Sequence, residues 1–387
     1  MAVTMSTRRE IVEKQMKAYK RASKKEKSHI LTSLVTATGL TRDHLSRVLS
    51  GRYKYVKQKV IGRRRGRKPA FRMEHKAILV MVWELLGFPS SRRLKAAMPD
   101  VLESLERHGR KVLDPDTKTL MLKMSHGTMD RLLRADRKRL KPFGLSTTKP
   151  GSLLKDQIPV RRGTDWDDAV PGFLEIDLVA HCGSSTRGQY VNTLNTTDIC
   201  SGWTECRAVI NKARTHTLTA MKDIQSELPF PLKGIDSDNG SEFINDHFLY
   251  FCVEEDLCFT RSRPNRSNDS CYVEQKNWSV VRKAIGYSRF EGNEAVELLN
   301  QYYRLLCTVN NYFLPSQKLI DKQRDGGKVK KKHDHALSPY RRLLGDPNVT
   351  AKVKSKLKQT YETLDLVQLN LHMNELLSRI QALSLGY

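Results

Sequence analysis

Apolar residues recur at helical spacing through the first part of the chain. Between Lys24 and Leu49 they fall at Ile30, Leu31, Leu34, Val35, Leu45, Val48 and Leu49. Gly39 interrupts this pattern and Thr41 is a suitable N-cap, so the spacing predicts two helices joined by a short turn. Such a pair is typical of a helix-turn-helix, whose exposed recognition helix would present Arg42, His44 and Arg47 to DNA. An ordinary helical hairpin with a polar outer face is the alternative.

A second helical pattern extends from Glu74 to Arg107, and a further capped helix starts near Ser125 and carries Arg131. This segment is interpreted as a second DNA-binding module, with a helical connector as the alternative. Between the two modules, Gly62–Pro69 is a basic run without a large apolar residue, which includes Arg63, Arg64, Arg65 and Arg67. It is predicted to be an extended arm in a DNA minor groove or a solvated linker.

The pattern changes after a Pro-, Gly-, Ser- and Thr-rich stretch at residues 141–171. Alternation and β-branched residues predict strands near 172–180, 189–197 and 203–210, and a short strand at Gly234–Ser237. Helices are predicted near 215–227 and from Ser241 onward. The second half is therefore expected to be an α/β domain.

Beyond this domain, the sequence predicts a long amphipathic helix, a basic loop around Gly326–Lys332 that could contact DNA, and a helical tail from Val353 to Leu385. The tail is interpreted either as a self-association element or as a peripheral helix packed on its own core.

Charge is distributed unevenly along the chain. Residues 1–150 hold 37 Lys and Arg against 13 Asp and Glu, whereas residues 171–310 hold 14 against 18, so their net charges are +24 and −4. A basic module of this kind suits phosphate binding. The seven cysteines form no Cys-x-x-Cys pair, and no apolar run reaches membrane-spanning length. We therefore expect a cytoplasmic, nucleoid-associated protein of bacterial type, with no membrane partner and no zinc module.

Three carboxylates are candidate ligands of a metal ion. Asp177 ends an apolar strand, Asp238 lies in Ser237-Asp238-Asn239-Gly240, and thirty-five residues separate Asp238 from Glu274. Three hard oxygen donors suit Mg²⁺ or Mn²⁺ better than zinc. For each acid taken alone, the alternative to metal binding is a structural role at the end of a strand or as the cap of a helix.

Several phrases together resemble a known family. They are Glu175-Ile176-Asp177, the Thr197–Trp203 turn, Ser237–Gly240, Val273–Asn277 and Ser338–Leu344. From about Gly172 to Leu344 the chain resembles the catalytic core of the retroviral integrase and insertion-sequence transposase superfamily, which carries an Asp, Asp, Glu triad. The chain departs from related transposases before Glu274, where it has Ser267-Asn268-Asp269 and Tyr272.

The resemblance implies an RNase H-like mixed sheet as catalytic core, preceded by all-α helix-turn-helix modules. The predicted domains are residues 1–60 (helix-turn-helix), 61–72 (basic arm), 73–145 (second helical module), 146–170 (linker), 171–315 (catalytic core) and 316–387 (basic loop and helical region). It also implies that Asp177, Asp238 and Glu274 hold two Mg²⁺ or Mn²⁺ ions, with Lys276, Arg282 and Lys283 as candidates for contacting DNA phosphates.

The function implied is that of an insertion-sequence transposase, which binds terminal inverted repeats, cuts 3′ ends and joins them to target DNA, as a homo-oligomer assembled on DNA. Two alternatives remain. One is a non-catalytic, sequence-specific DNA-binding regulator derived from a transposase, and the other is a metal-dependent nuclease that cuts without joining.

Overall fold

The computed structural model describes residues 4–53, 70–139, 170–238, 240–261, 271–325 and 328–384. The predicted basic arm with Arg63, Arg64, Arg65 and Arg67, and residues 146–169 of the predicted linker, lie outside the described residues. The chain divides into two compact units, Met1–Ala70 and Phe71–Tyr387. The predicted domain boundaries stay predictions.

The first unit is a set of three helices, α1 (Met5–Arg21), α2 (Lys24–Thr38) and α3 (Arg42–Leu49). A capping box at Ser23 starts α2, and Gly39 ends it with φ of 66°, a left-handed conformation that glycine adopts without strain. The Thr41 hydroxyl then accepts the His44 N–H and starts α3. The predicted boundaries of α2 and α3 are confirmed. The pattern did not predict α1, which buries Val12 against the other two helices.

The second unit begins with five helices: α4 (Met73–Leu85), α5 (Ser91–Arg107), α6 (Pro115–Lys123), α7 (His126–Leu132) and α8 (Arg134–Arg139). Helix α5 is the centre of this group and buries nine of its residues. Its apolar face shares one core with the sheet described below, since Leu94, Met98 and Val101 belong to the same buried cluster as Leu174 and Ile235. The helical segment is thus built onto the sheet within one compact unit.

The sheet has five strands: β1 (Phe173–Ala180), β2 (Asn192–Asp198), β3 (Thr204–Val209), β4 (Gly234–Ser237) and β5 (Cys258–Arg261). Their order is β3-β2-β1-β4-β5. Strand β1 pairs antiparallel with β2 and parallel with β4, so the sheet is mixed. The predicted fold class, an RNase H-like mixed sheet preceded by helices, is confirmed. Strand β5 was not predicted.

Six helical segments follow or separate the strands of the sheet. They are α9 (Arg214–Glu227), α10 (Asp246–Glu254), α11 (Cys271–Lys276), a π-helical segment (Asn277–Arg282), α12 (Lys283–Ile285) and α13 (Gly292–Phe313). The prediction of a helix from Ser241 is wrong by five residues. Residues 241–245 form turns instead, and α10 begins only where the Asn245 side chain caps it by accepting the Phe248 N–H.

After α13 the chain forms β6 (Leu319–Asp325), β7 (Lys328–His333), α14 (Pro339–Gly345), α15 (Ala351–Thr363) and α16 (Leu366–Ala382). The expected basic loop is an antiparallel pair of strands instead, β6 with β7. Helix α16 packs on α13, and Leu376 and Ile380 are buried there. In the described ranges, none of the helices combines the length and apolar content that crossing a membrane requires.

Candidate active site

Asp177 lies on β1, the middle strand of the sheet, with β2 on one side and β4 on the other. The side chain is half-buried. One carboxylate oxygen, Oδ1, accepts the Leu178 N–H at 2.7 Å, and the other, Oδ2, accepts a hydrogen bond from the Asn277 amide. The position and orientation of this carboxylate are therefore both determined by neighbouring donors.

A second asparagine, Asn195, orients the Asn277 amide that contacts Asp177. Asn195 is the β2 residue directly opposite Asp177, and it is buried. Its Nδ2 donates to Asn277 Oδ1 at 2.8 Å, so that the Asn277 amide nitrogen faces Asp177. In the sequence, Asn277 stands out only as part of the phrase Val273–Asn277, and no pattern indicates Asn195. The partners are too far apart in sequence for local spacing to indicate the contact.

Asp238 stands beside Asp177 because of strand register. Strands β1 and β4 run parallel with Ile176 opposite Ser237, so the next residue of each strand is an aspartate. Asp238 Oδ1 accepts the Gly240 N–H at 2.9 Å. A Cβ on Gly240 would lie 2.7 Å from Glu242 Cδ and 2.9 Å from Asp238 Oδ1, so any larger residue would require these side chains to shift. Asn239 lies outside the described residues.

Glu274 lies in the first turns of α11 and is exposed. The start of this helix is held by Glu175, a fully buried residue of β1. Glu175 Oε2 accepts the N–H groups of Tyr272 and Val273 at 2.9 and 3.0 Å. A carboxylate at a helix start is stabilised both by these donors and by the helix dipole. Glu175 thereby connects the strand of Asp177 to the helix of Glu274, a role that the sequence analysis missed.

The pKa of each of the three acids is raised, and that of Asp177 responds to the other two. Burial raises the pKa of Asp177 to about 7, and the charge of Asp238 and, more weakly, that of Glu274 add to the rise, although the bonds from Asn277 and Leu178 oppose it. Burial also raises the pKa of Asp238, opposed by the Gly240 N–H and reinforced by Glu242. Burial alone raises the pKa of Glu274. Among the described residues, no cationic side chain forms an ion pair with these three acids.

The donor chemistry of this cluster fits a hard divalent cation. Carboxylate oxygens are the ligands preferred by Mg²⁺ and Mn²⁺, and a cation would offset the repulsion that raises the pKa of Asp177. As they are arranged in the described part of the chain, no three His, Cys, Asp or Glu side chains are grouped closely enough to hold a metal ion. The oxygen donors of these acids suit Mg²⁺ or Mn²⁺, whereas the assignment of Asp177, Asp238 and Glu274 as the metal ligands stays a prediction.

Of the three cations predicted to hold phosphates near the acids, Arg282 and Lys283 make contacts inside the protein. Arg282 donates to the Ala180 carbonyl at 2.8 Å and covers the Tyr287 ring. The Lys283 ammonium donates to the Gly87 carbonyl, and burial lowers its pKa to about 8. Burial also lowers the pKa of Lys276 to about 8, assisted by the charge of Arg93. Their role in phosphate binding stays a prediction, and these contacts fix the helix that carries Glu274.

Among the predicted DNA-binding residues of the helical regions that the structure describes, Arg42, Arg47 and Arg131 are exposed and His44 is half-buried, and each of them also contacts its own unit. Arg42 donates to Thr32 Oγ1 at 2.8 Å and to Ser28 Oγ at 2.6 Å, which pins α3 to α2. Arg47 pairs with Asp43 on the surface of α3. The His44 ring meets the Tyr53 ring edge-on, with centroids 5.4 Å apart. Arg131, at the end of α7, donates to Thr128 Oγ1 at 3.1 Å. Their binding to DNA stays a prediction.

Asp198 and His181 make structural contacts within the protein. Asp198 accepts the Gly172 N–H at 2.8 Å and the Ser201 N–H at 2.6 Å, which closes the turn between β2 and β3. His181 is fully buried and its Nε2 lies 2.8 Å from Thr193 Oγ1. Burial lowers its pKa to about 3, so the ring is neutral. His181 therefore has the contacts of a packing residue.

The family-like phrase Ser338–Leu344 makes packing contacts with other helices. Ser338 caps α14 by accepting the Arg341 N–H at 3.3 Å. The Arg341 guanidinium contacts Asp100 of α5, with its shortest bond at 2.6 Å. The Tyr340 ring stacks on Tyr361 of α15 at 4.7 Å between centroids. The phrase therefore attaches the C-terminal helices to α5.

Comparison with known proteins gives matches over most of the chain. A family model described as the integrase core domain matches residues 167–267, which include Asp177 and Asp238 and stop before Glu274. The uncharacterised protein y4rM of Sinorhizobium fredii (strain NBRC 101917 / NGR234) is 36% identical over 343 residues, which cover 88% of this chain and 96% of that protein.

Two solved structures are similar at lower levels. The catalytic core domain of BIV integrase is 14% identical with a TM-score of 0.30, over 44% of this chain and 91% of that one. A chain of the simian T-cell lymphotropic virus intasome in complex with the PP2A regulatory subunit B56 gamma is 16% identical with a TM-score of 0.27, over 47% and 59%. At these values neither structure identifies a reaction. The 36% identity to y4rM and the matching family model establish that the chain belongs to the same protein family as y4rM and that its sheet region is an integrase core domain, of the RNase H-like type found in integrases and transposases.

Proposed function

We propose that this protein is the DNA transposase of an insertion sequence, which cuts the 3′ ends of its element and joins them to target DNA in a metal-dependent reaction. The observation that carries this proposal is the register of β1 and β4, which brings Asp177 next to Asp238, the residue after β4, with no cationic side chain of the described residues paired to either acid. The integrase core domain supports a polynucleotidyl transferase of this general type.

Asp177, Asp238 and Glu274 would hold two Mg²⁺ or Mn²⁺ ions, which when bound activate the attacking oxygen and stabilise the leaving oxygen in an in-line displacement at phosphorus. Asp177 has the central position, since both other acids act on its pKa. Asn277 and the Leu178 N–H fix the orientation of its two oxygens. Glu175 fixes the start of the helix that presents Glu274. The same carboxylates serve both displacements, with water or the new 3′-OH as attacking group.

The helical regions would supply the DNA contacts. Residues 1–60 would bind the terminal inverted repeats through α3, where Arg47 has only a surface ion pair to give up, which costs little free energy. The arm at 61–72 would add contacts that do not depend on sequence, and residues 73–145 would add a second contact. Assembly on two DNA ends requires at least two copies of the chain, so a homo-oligomer on DNA is part of the proposal.

The test is a joining assay with the full chain. A duplex that carries the inverted repeat found beside the gene is incubated with Mg²⁺ or Mn²⁺ and a target duplex, and 3′-end cutting and joining are measured separately. We expect both products from the natural sequence, and neither from Asp238→Asn, which removes one charge at nearly constant size. Circular dichroism and end binding of Asp238→Asn should match those of the natural protein.

Each outcome distinguishes the candidate functions. Cutting without joining would favour the nuclease, and binding without either product would favour the regulator. A folded Asp238→Asn protein that joins ends at nearly the natural rate would overturn the assignment of the acids.

A further inference from the structure

The hairpin of β6 and β7 forms a sheet of its own. The two strands pair antiparallel from Leu319 opposite His333 to Asp325 opposite Lys328. No other strand of the described ranges joins this pair. An isolated two-stranded hairpin is marginally stable in water, so a hairpin of this kind depends on contacts at its base.

The base of the hairpin is held by one carboxylate and two cations. Asp334, directly after β7, accepts the Lys318 N–H at 2.6 Å through Oδ1 and the Arg342 guanidinium at 2.6 Å through Oδ2. Arg342 also donates to the Ser316 carbonyl at 2.8 Å. The Lys318 ammonium donates to the Cys200 carbonyl in the turn after β2. These contacts fix the hairpin to α14 and to the sheet, so it projects from a defined base.

The hairpin carries an excess of positive charge. Residues 319–333 contain six Lys and Arg and two Asp, a net charge of +4, and β7 has four lysines and no acid. Lys330 and Lys332 are exposed, and no hydrogen bond or ion pair within the described residues engages either one. Because they alternate on one strand they lie on one face, about 6.6 Å apart. That separation is shorter than the Debye length of about 8 Å at physiological ionic strength, so the two charges repel each other.

A polyanion relieves this repulsion, and duplex DNA suits the molecule best. The integrase core around the acids has a net charge of −4, so it repels a DNA backbone on its own. A fixed cationic hairpin on the same compact unit compensates for this. A two-stranded ribbon is also narrow enough to enter a DNA major groove.

We propose that the β6–β7 hairpin binds duplex DNA through its phosphates, independently of sequence, and that this duplex is the target DNA. The identification of the duplex as target rests on the proposed transposase function; the binding of DNA by the hairpin does not.

The test compares two pairs of lysines in the full chain. Lys330→Gln with Lys332→Gln removes two charges from the hairpin, and Lys352→Gln with Lys356→Gln removes two charges from exposed positions on α15. Binding to a labelled duplex of random sequence is measured by fluorescence anisotropy without metal, over a range of salt concentrations. The slope of log K against log salt should become shallower by about 2 in the hairpin variant, since each lost phosphate contact contributes about 0.9. The α15 variant should change the slope by less than half as much. Lys330→Arg with Lys332→Arg keeps both charges and should keep the slope.

An unchanged slope in the hairpin variant would overturn the proposal, and so would an equal change in the α15 variant, which would indicate a general effect of net charge. In the joining assay, the yield of joined product per cut end should fall in the hairpin variant. If the natural protein neither cuts nor joins, the proposed function fails while the anisotropy measurement still decides whether the hairpin binds DNA.

Discussion

Two groups of carboxylates lie on the same sheet and differ in what faces them. On β3, Glu205 is buried beside Arg207, whose guanidinium also pairs with Asp223 and Glu227, each at 2.5 Å. On β1, Asp177 lies beside Asp238. Burial raises the pKa of Glu205 and of Asp177 alike, in each case to about 7. The next contribution has opposite sign, because Arg207 lowers the pKa of Glu205 whereas Asp238 raises that of Asp177.

The difference separates acids that stabilise the fold from acids that need an external partner. Glu205, Asp223 and Glu227 are paired with Arg207 of β3, and Asp223 and Glu227 are paired with Arg304 as well, so each of these acids has a cationic partner within the protein. The charge around Asp177 is not balanced by any described side chain. Like charges held close together are unfavourable unless a ligand compensates them, which is the physical reason for assigning divalent ions to this group.

The largest expected effect is on catalysis. Asp177→Asn, Asp238→Asn and Glu274→Gln should each reduce cutting and joining by about 10³-fold or more, and any two together should lose little beyond that, because residues that act as one unit are not additive. Asp223→Asn, the matched change in the Arg207 group, should leave both rates within a few-fold. Single-turnover assays of both products decide this. A loss in Asp223→Asn as large as that in Asp238→Asn would remove the distinction between the two groups.

The next effect is on stability. Arg207→Met should lower the free energy of unfolding by about 3–5 kcal/mol, because it leaves Glu205 buried without its cation. Arg304→Met is the control, since Arg304 is exposed and contacts Asp223 and Glu227 as well. It should cost less than about 1 kcal/mol. Urea unfolding measures both.

The loss in Arg207→Met should also depend on pH. The folded pKa of Glu205 lies at about 7, above the ordinary 4.5, so its contribution to stability is fully present below pH 4.5 and is lost as the pH rises through 7. Without Arg207 that pKa rises further. The difference from the natural protein should therefore be smallest near pH 5 and grow toward pH 8. Equal losses at both pH values would show that Glu205 is not the cause.

A smaller effect is expected on adding metal. A ligand that binds only the folded state stabilises it by about 2.7 kcal/mol at a hundred times its Kd, so Mn²⁺ should raise the Tm of the natural protein by several degrees. The same titration should leave Asp177→Asn unchanged, while Glu205→Gln should keep the shift. Differential scanning calorimetry measures this in the absence of DNA. A Tm shift of equal size in Asp177→Asn would locate the ion elsewhere.

The smallest expected effect concerns Glu175. Glu175→Ala removes the acceptor for the Tyr272 and Val273 N–H groups and should reduce cutting by about 10- to 100-fold, in the range seen for residues that orient metal ligands. Glu175→Gln keeps one acceptor oxygen and should recover most of the rate. The Mn²⁺ concentration for half-maximal cutting should rise in Glu175→Ala. If only stability changes and this concentration does not, Glu175 supports the fold alone.

Much of this arrangement follows from local sequence. Strands β1 to β4 and the ends of α2 and α3 were predictable because alternation, Gly39 and Thr41 act over a few residues. The proximity of Asp177 and Asp238 depends on the parallel pairing of β1 with β4. The family resemblance implies this pairing, whereas no local pattern of residues indicates it. The metal ligation of the two acids stays a prediction.

Other features depend on contacts between distant residues. Helix α1 was missed because its few apolar residues, such as Val12, become a core only when α2 and α3 pack on them. Asn195 reaches Asn277 across eighty-two positions, so no local pattern indicates it. The hairpin was missed because β7 is nearly all lysine and lacks the alternation that marks a strand with a buried face.

The π-helical segment after α11 changes which of its residues share a side. In an α-helix, residues five apart are separated by about 500° of rotation and so lie about 140° from each other, on nearly opposite sides. The wider π winding stacks residue i below residue i+5. Asn277 and Arg282 are five apart, and both contact β1, one at Asp177 and the other at Ala180. Loss of a single residue from this turn would leave a regular helix that can keep only one of the two contacts, so the length of this helix, and not only its composition, is under constraint.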